Sequence, residues 1–104
     1  MVWYAYLAYF AAGLFLANGI PHFVAGVSGG KFQSPFAKPP GVGESSAIVN
    51  VLWGFTNFVI SGLLMFGVGD FRCGLTVDTA LAAVGFLAMG LFCARHFSKV
   101  RGNA

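Results

Sequence analysis

Three stretches of this chain hold no charged side chain: residues 1–30, 45–69 and 79–94. A helix needs about 20 apolar residues to cross the hydrocarbon core of a bilayer. In lipid a backbone must satisfy its own polar groups, so such stretches form helices rather than open strands. The charges stand at the ends of these stretches: Lys31, Lys38 and Glu44, then Asp70, Arg72 and Asp78, then Arg95, Lys99 and Arg101. With 9% charged and 58% hydrophobic residues and a mean hydropathy of +0.79, the chain cannot coat a soluble domain, which carries about 25% charge. The predicted fold class is all-α. A single transmembrane domain, 1–104, has three spans, roughly 3–27, 47–68 and 78–97, and a long interfacial loop between spans 1 and 2.

The first stretch lacks a basic n-region and is longer than a signal-peptide core, so it reads as a span. No lipidation motif accompanies it. Asp78 or Thr79 is the expected N-cap of span 3. The uncharged part of that span, Thr79–Ala94, is short, which leaves a re-entrant or surface-lying helix as the alternative. The net charge of +3 comes from dispersed cations with no dense basic run, so no nucleic-acid partner is expected. Lys31, Lys38, Arg95, Lys99 and Arg101 fall on one side of the membrane and Arg72 on the other. That asymmetry predicts a multi-pass inner-membrane protein with its N-terminus outside and its C-terminus in the cytoplasm. Trp3, Tyr4 and Tyr6 would form the outer aromatic belt. Cys73 and Cys93 should lie near opposite faces, too far apart to bond to each other.

Helical periodicity sorts each span into faces. In span 1, Tyr4, Ala8, Ala11, Ala12, Phe15, Asn18, Gly19, His22 and Gly26 share one side, opposite Trp3, Tyr6, Leu7, Phe10, Leu14, Ile20 and Val24. Small residues recur at intervals of seven: Ala5, Ala12, Gly19 and Gly26. In span 2, Asn50, Trp53, Gly54, Asn57 and Ser61 oppose Ile48, Leu52, Phe55, Val59, Leu63 and Phe66. Span 3 puts Asp78, Ala82, Gly85, Met89, Cys93 and His96 on one stripe. Helices in membranes associate where small residues let backbones approach, so these stripes are the packing faces.

Depth brings several polar residues together. Asn18 is expected about 4–5 Å, and His22 about 10 Å, to the cytoplasmic side of the midplane. Asn50 falls at the depth of His22, and Asn57 near mid-span. Polar groups in hydrocarbon need partners, and ionisable ones are candidates for function. Asn18, His22, Asn50, Trp53 and Asn57 are therefore the candidate ligand-binding residues. The structural account is also open. Asn18 and Asn57 would hydrogen-bond across helices, and a kink at Pro21 would free backbone groups for Asn18 and His22 to satisfy.

The loop Ser28–Ser46 alternates Phe32 and Phe36 with Lys31 and Lys38. Such residues suit the membrane interface. The loop starts one turn after His22 and ends one turn before Asn50. It therefore reads either as an interfacial connection or as a lid, with Phe32, Phe36 and Lys38 as its candidate residues. No catalytic residue is assigned: the chain has no paired carboxylates, GxSxG or HExxH. No metal or cofactor is expected, since His22 and His96 alone are a thin basis for an axial haem pair.

The run Asn18-Gly-Ile-Pro-His-Phe-Val, then Ser34-Pro35-Phe36, then Val49-Asn50-Val-Leu-Trp53-Gly54-Phe, resembles a family of small, mostly uncharacterised bacterial inner-membrane proteins. The resemblance covers about half the chain and implies no activity. The overall design distantly resembles DoxX-like small helical membrane proteins, which usually have four spans. Small half-transporters of the SemiSWEET type also have three, but their proline–glutamine signature is here Pro21-His22.

Two functions follow. The first is a non-enzymatic accessory or self-associating subunit, partnered by the bilayer and by its own copies or a larger membrane complex. Its motive is that three helices can hardly bury every small-residue stripe internally. The alternative is a dimeric small-molecule transporter or a lipid- or quinone-type binder, with a polar pocket in the cytoplasmic half. An enzyme is the least expected, because a single histidine lacks a nucleophilic or acidic partner.

Overall fold

In a computed structural model, which describes residues 2–102, three long helices take the three uncharged stretches. They are α1 (Trp3–Val27), α2 (Ala47–Phe66) and α3 (Val77–Val100), and each is long and apolar enough to cross a membrane. α1 stays helical through Pro21 to Val27, and Gly29 beyond it, with a φ of +81°, reverses the chain. Glycine takes that conformation without the clash a Cβ would bring. Gly29 and Gly30 N–H then donate to the Gly26 and Ala25 carbonyls.

α1 and α2 run antiparallel and meet along a ladder of small residues. Ser61 Oγ donates to the Ala12 carbonyl at 2.7 Å. A Cβ on Gly19 would lie 2.8 Å from the Gly54 oxygen, and one on Gly26 would lie 2.6 Å from the Ala47 oxygen. The paired positions 12/61, 19/54 and 26/47 step by seven along both helices. The sevenfold spacing in span 1 thus has its complement in span 2, and the two backbones touch. The face of α2 is as expected: Asn50, Gly54, Asn57 and Ser61 are buried, and Ile48, Leu52, Phe55, Val59, Leu63 and Phe66 are exposed.

α1 differs from the expectation of one packed side. α3 docks on its other flank, where a Cβ on Gly13 would lie 2.0 Å from the Ala82 oxygen and one on Gly85 would lie 2.1 Å from the Phe10 oxygen. α2 and α3 both pack on α1 and scarcely on each other. The central helix therefore buries two faces. Tyr9, expected on neither list, is fully buried, while Tyr4 is exposed. The small-residue stripes are largely used up inside one protomer, because one helix serves two partners.

Two boundaries also shift. α2 ends at Phe66 rather than Val68, with Gly67 N–H donating to the Leu63 carbonyl. α3 begins one residue earlier than expected and runs to Val100 as one continuous helix. Its N-cap is Thr76, whose hydroxyl accepts from Thr79 N–H. Asp78 does not cap. It is buried and accepts from Arg72 N–H at 3.0 Å, tying down the α2–α3 turn. Both cysteines are free, Cys73 exposed and Cys93 buried.

Candidate functional site

The Ser28–Ser46 segment carries the one two-stranded sheet among the described residues. β1 (Phe32–Gln33) pairs antiparallel with β2 (Glu44–Ser45), with Phe32 opposite Ser45 and Gln33 opposite Glu44. Between them the chain turns at Gly41, whose φ is +75°. Gly41 N–H donates to the Ser34 carbonyl and Ser34 N–H to the Gly43 carbonyl. Ser34 and Ser45 hydroxyls meet at 2.6 Å. The loop is a built cap rather than slack chain.

Asn50 joins this cap to α1 and α2. It is fully buried. Its side-chain nitrogen donates to the carbonyls of Phe32 (3.2 Å), Ser45 (3.1 Å) and Ser46 (3.0 Å). Those acceptors orient the amide and leave Oδ1 facing His22 Nδ1 at 2.9 Å. A carbonyl oxygen only accepts, so Nδ1 must carry the proton. One α2 residue thus fixes both the loop and the imidazole tautomer.

A second chain of amides lies deeper. Asn57 Nδ2 donates to the Trp53 carbonyl at 2.8 Å. Its Oδ1 accepts from Asn18 Nδ2 at 3.0 Å. Asn18 Oδ1 in turn faces the Cys93 thiol at 3.8 Å, a distance suited to a weak S–H donor. This network ties all three helices together at one depth. Asn18 and His22 reach α2 partners, so neither bends back to satisfy α1 carbonyls near Pro21.

Aromatic rings surround His22. Phe32, Trp53 and Phe97 stand edge-on to it, at ring-centre distances of 5.3, 6.4 and 6.2 Å. Phe36 stands edge-on to Trp53 at 5.0 Å. Two contacts from α3 clasp the loop. His96 Nε2 meets the Gly41 carbonyl at 2.8 Å. The Arg101 guanidinium donates twice to Gln33 Oε1 and lies over the Phe32 ring, 4.5 Å from its centre.

These elements border an open cavity of about 270 Å³, lined by Asn18, His22, Ser34, Trp53, His96 and Phe97 among others. A second cavity of about 190 Å³ shares Asn18 and Phe92 with it and reaches Leu14, Phe15 and Met89 deeper in the bundle. The Trp53 Nε1–H is buried and has no hydrogen-bond partner.

Of the five candidate residues, Asn18, His22 and Trp53 line the cavity. Asn50 and Asn57 stand behind it as positioning residues. Phe32 and Phe36 cover His22 and Trp53, whereas Lys38 is exposed at the outer edge of the loop. Sequence reasoning missed Gln33, Ser34, Gly41, Phe97 and Arg101. A polar pair directly after Phe32 was the available hint for the first two. Among the described residues no group of three or more His, Cys, Asp or Glu could hold a metal ion. Comparisons of the chain with protein-family models, with curated proteins and with solved structures found no match in any of the three.

Proposed function

We propose that this chain is a small inner-membrane protein that binds an uncharged amphipathic small molecule of lipid or quinone type. Its polar end sits beneath the loop and its apolar part lies along the cleft toward Leu14 and Met89. The N-terminus is outside and the C-terminus cytoplasmic, as the excess of Lys and Arg on the loop side supports. The observation that carries the reading is a cavity lined by a buried histidine and covered by a loop clasped from α3. Ligand sites are mostly apolar hollows with a few fixed polar groups, and this one has that make-up. Native mass spectrometry of protein gently extracted from its own membrane tests it. One retained small mass per chain, lost on Trp53→Ala, is the expected result. An unliganded chain held by larger subunits would overturn it.

A self-associating subunit is the second reading. It draws support from Gly62 and Gly90, which have open space where a Cβ would sit. Glycines left unfilled on helix faces suit close approach by a neighbouring helix. Gly90→Leu should then lower the oligomer mass in detergent without unfolding the protomer; an unchanged mass would dismiss it.

A further inference from the structure

Resting on the binding reading above, we infer that the group bound beneath the loop is a hydroxyl. One oxygen would accept from Trp53 Nε1–H and donate to His22 Nε2. The ligand class is thus an alcohol, phenol or quinol rather than a ketone, quinone, carboxylate or plain hydrocarbon.

The polarity of the site follows from the carbonyls that anchor it. Phe32, Ser45 and Ser46 carbonyls can only accept, so Asn50 must turn its amide nitrogen to them and its oxygen to His22. The proton of the neutral ring then resides on Nδ1. Nε2, on the other side of the ring, keeps a lone pair and accepts. His22 is 2% exposed, and its ring lines the cavity. Trp53 lines the same cavity, and its indole N–H is buried and unpartnered. An indole N–H can only donate. The site therefore offers one acceptor and one donor on two rings that line one cavity.

The two rings stand edge to face with their centres 6.4 Å apart, and both border the one cavity. A hydroxyl is the smallest uncharged group that both donates and accepts. A ketone, ether or quinone oxygen would serve Trp53 and leave Nε2 without a donor. A carboxylate would serve Trp53 but bring a charge. No Lys or Arg lines this cavity, and Arg101 is engaged with Gln33 and Phe32. Burying an unmatched charge or leaving a buried polar group unmet is costly. The size also fits: an apolar cavity of about 150 Å³ holds benzene, so about 270 Å³ holds a phenol-sized head.

Phenol, anisole and toluene are the probes, titrated into labelled protein in lipid nanodiscs. A Trp3→Phe background leaves Trp53 as the single indole signal, and the His22 ring nitrogens are read directly. We expect His22 to be protonated at Nδ1. Phenol should move both the Trp53 indole proton and His22 Nε2, and bind about fivefold tighter than anisole, the worth of one net hydrogen bond. Anisole should move the indole alone. Equal binding of phenol and anisole, or a His22 proton on Nε2, would overturn the hydroxyl assignment while the binding reading stands. Toluene binding as tightly as phenol would overturn it too. If none of the three moves Trp53 or His22, the inference and the binding reading both fail.

Discussion

His22 Nδ1 and Asn50 Oδ1 lie 2.9 Å apart, and the same Asn50 amide holds the Phe32, Ser45 and Ser46 carbonyls. Replacing Asn50 therefore strands several buried groups at once. Asn50→Leu should destabilise the protein by about 2–4 kcal/mol, given about 1–3 kcal/mol for each buried group left unmet. Asn18→Leu removes one amide–amide bond to Asn57 and the weak Cys93 thiol contact and should cost nearer ~0.6 kcal/mol, at most ~1.7. Thermal unfolding of both variants in one detergent gives the comparison. Equal losses would mean that Asn50 does not organise the cap.

The Gly19/Gly54 and Gly26/Ala47 contacts leave no room for a side chain. Gly19→Ala and Gly26→Ala should each lower stability by about 1–3 kcal/mol, as overpacking does, and Leu at either position should prevent α1 from pairing with α2. Gly62 has open space at its Cβ position, so Gly62→Ala should be neutral or gain slightly from helix propensity. Unfolding of the set at one detergent concentration checks the contrast.

The loop is clasped from α3 by His96 on Gly41 and Arg101 on Gln33. The double change His96→Ala with Arg101→Ala should speed hydrogen exchange at the Ser34, Gly41 and Gly43 amides. The middle of α2 should exchange as before. Local opening of this kind occurs without global unfolding. Uniform acceleration across the chain would mean instead that the clasp supports the whole bundle.

Cys73 is exposed on the α2–α3 turn and Cys93 is buried against Asn18. In intact cells a membrane-impermeant maleimide should label Cys73 from outside and leave Cys93 unreacted until denaturation. Labelling of Cys73 only after the cells are opened would reverse the proposed orientation.

The legible parts of this fold were those governed by one partner. α2 packs on one neighbouring helix, so its periodicity divides it cleanly into Asn50, Gly54, Asn57 and Ser61 against the exposed side chains. α1 serves two neighbours. Its buried residues wrap both flanks, and a single-sided wheel misassigned Tyr4 and overlooked Tyr9. The sequence named Asn18, His22 and Trp53 as candidate binding residues, and they line one cavity. It did not disclose the cap. A two-residue ladder such as 32–33 with 44–45 has no period to detect, and its geometry depends on Asn50 reaching back from α2. Arg101 was out of reach for a related reason: its seat on Phe32 is made by a helix joined to that loop by most of the chain.

Because both outer helices lean on α1 and scarcely on each other, the molecule has a natural order of assembly. The α1–α2 hairpin, with its cap and the His22–Asn50 bond, can pair as soon as those two segments have left the ribosome. α3 arrives afterwards and brings Phe97, His96 and Arg101, the far wall of the cavity and its fastening. A nascent chain halted before α3 would hold the ring nitrogen in place on one wall alone, and only the last stretch of translation would supply the wall opposite.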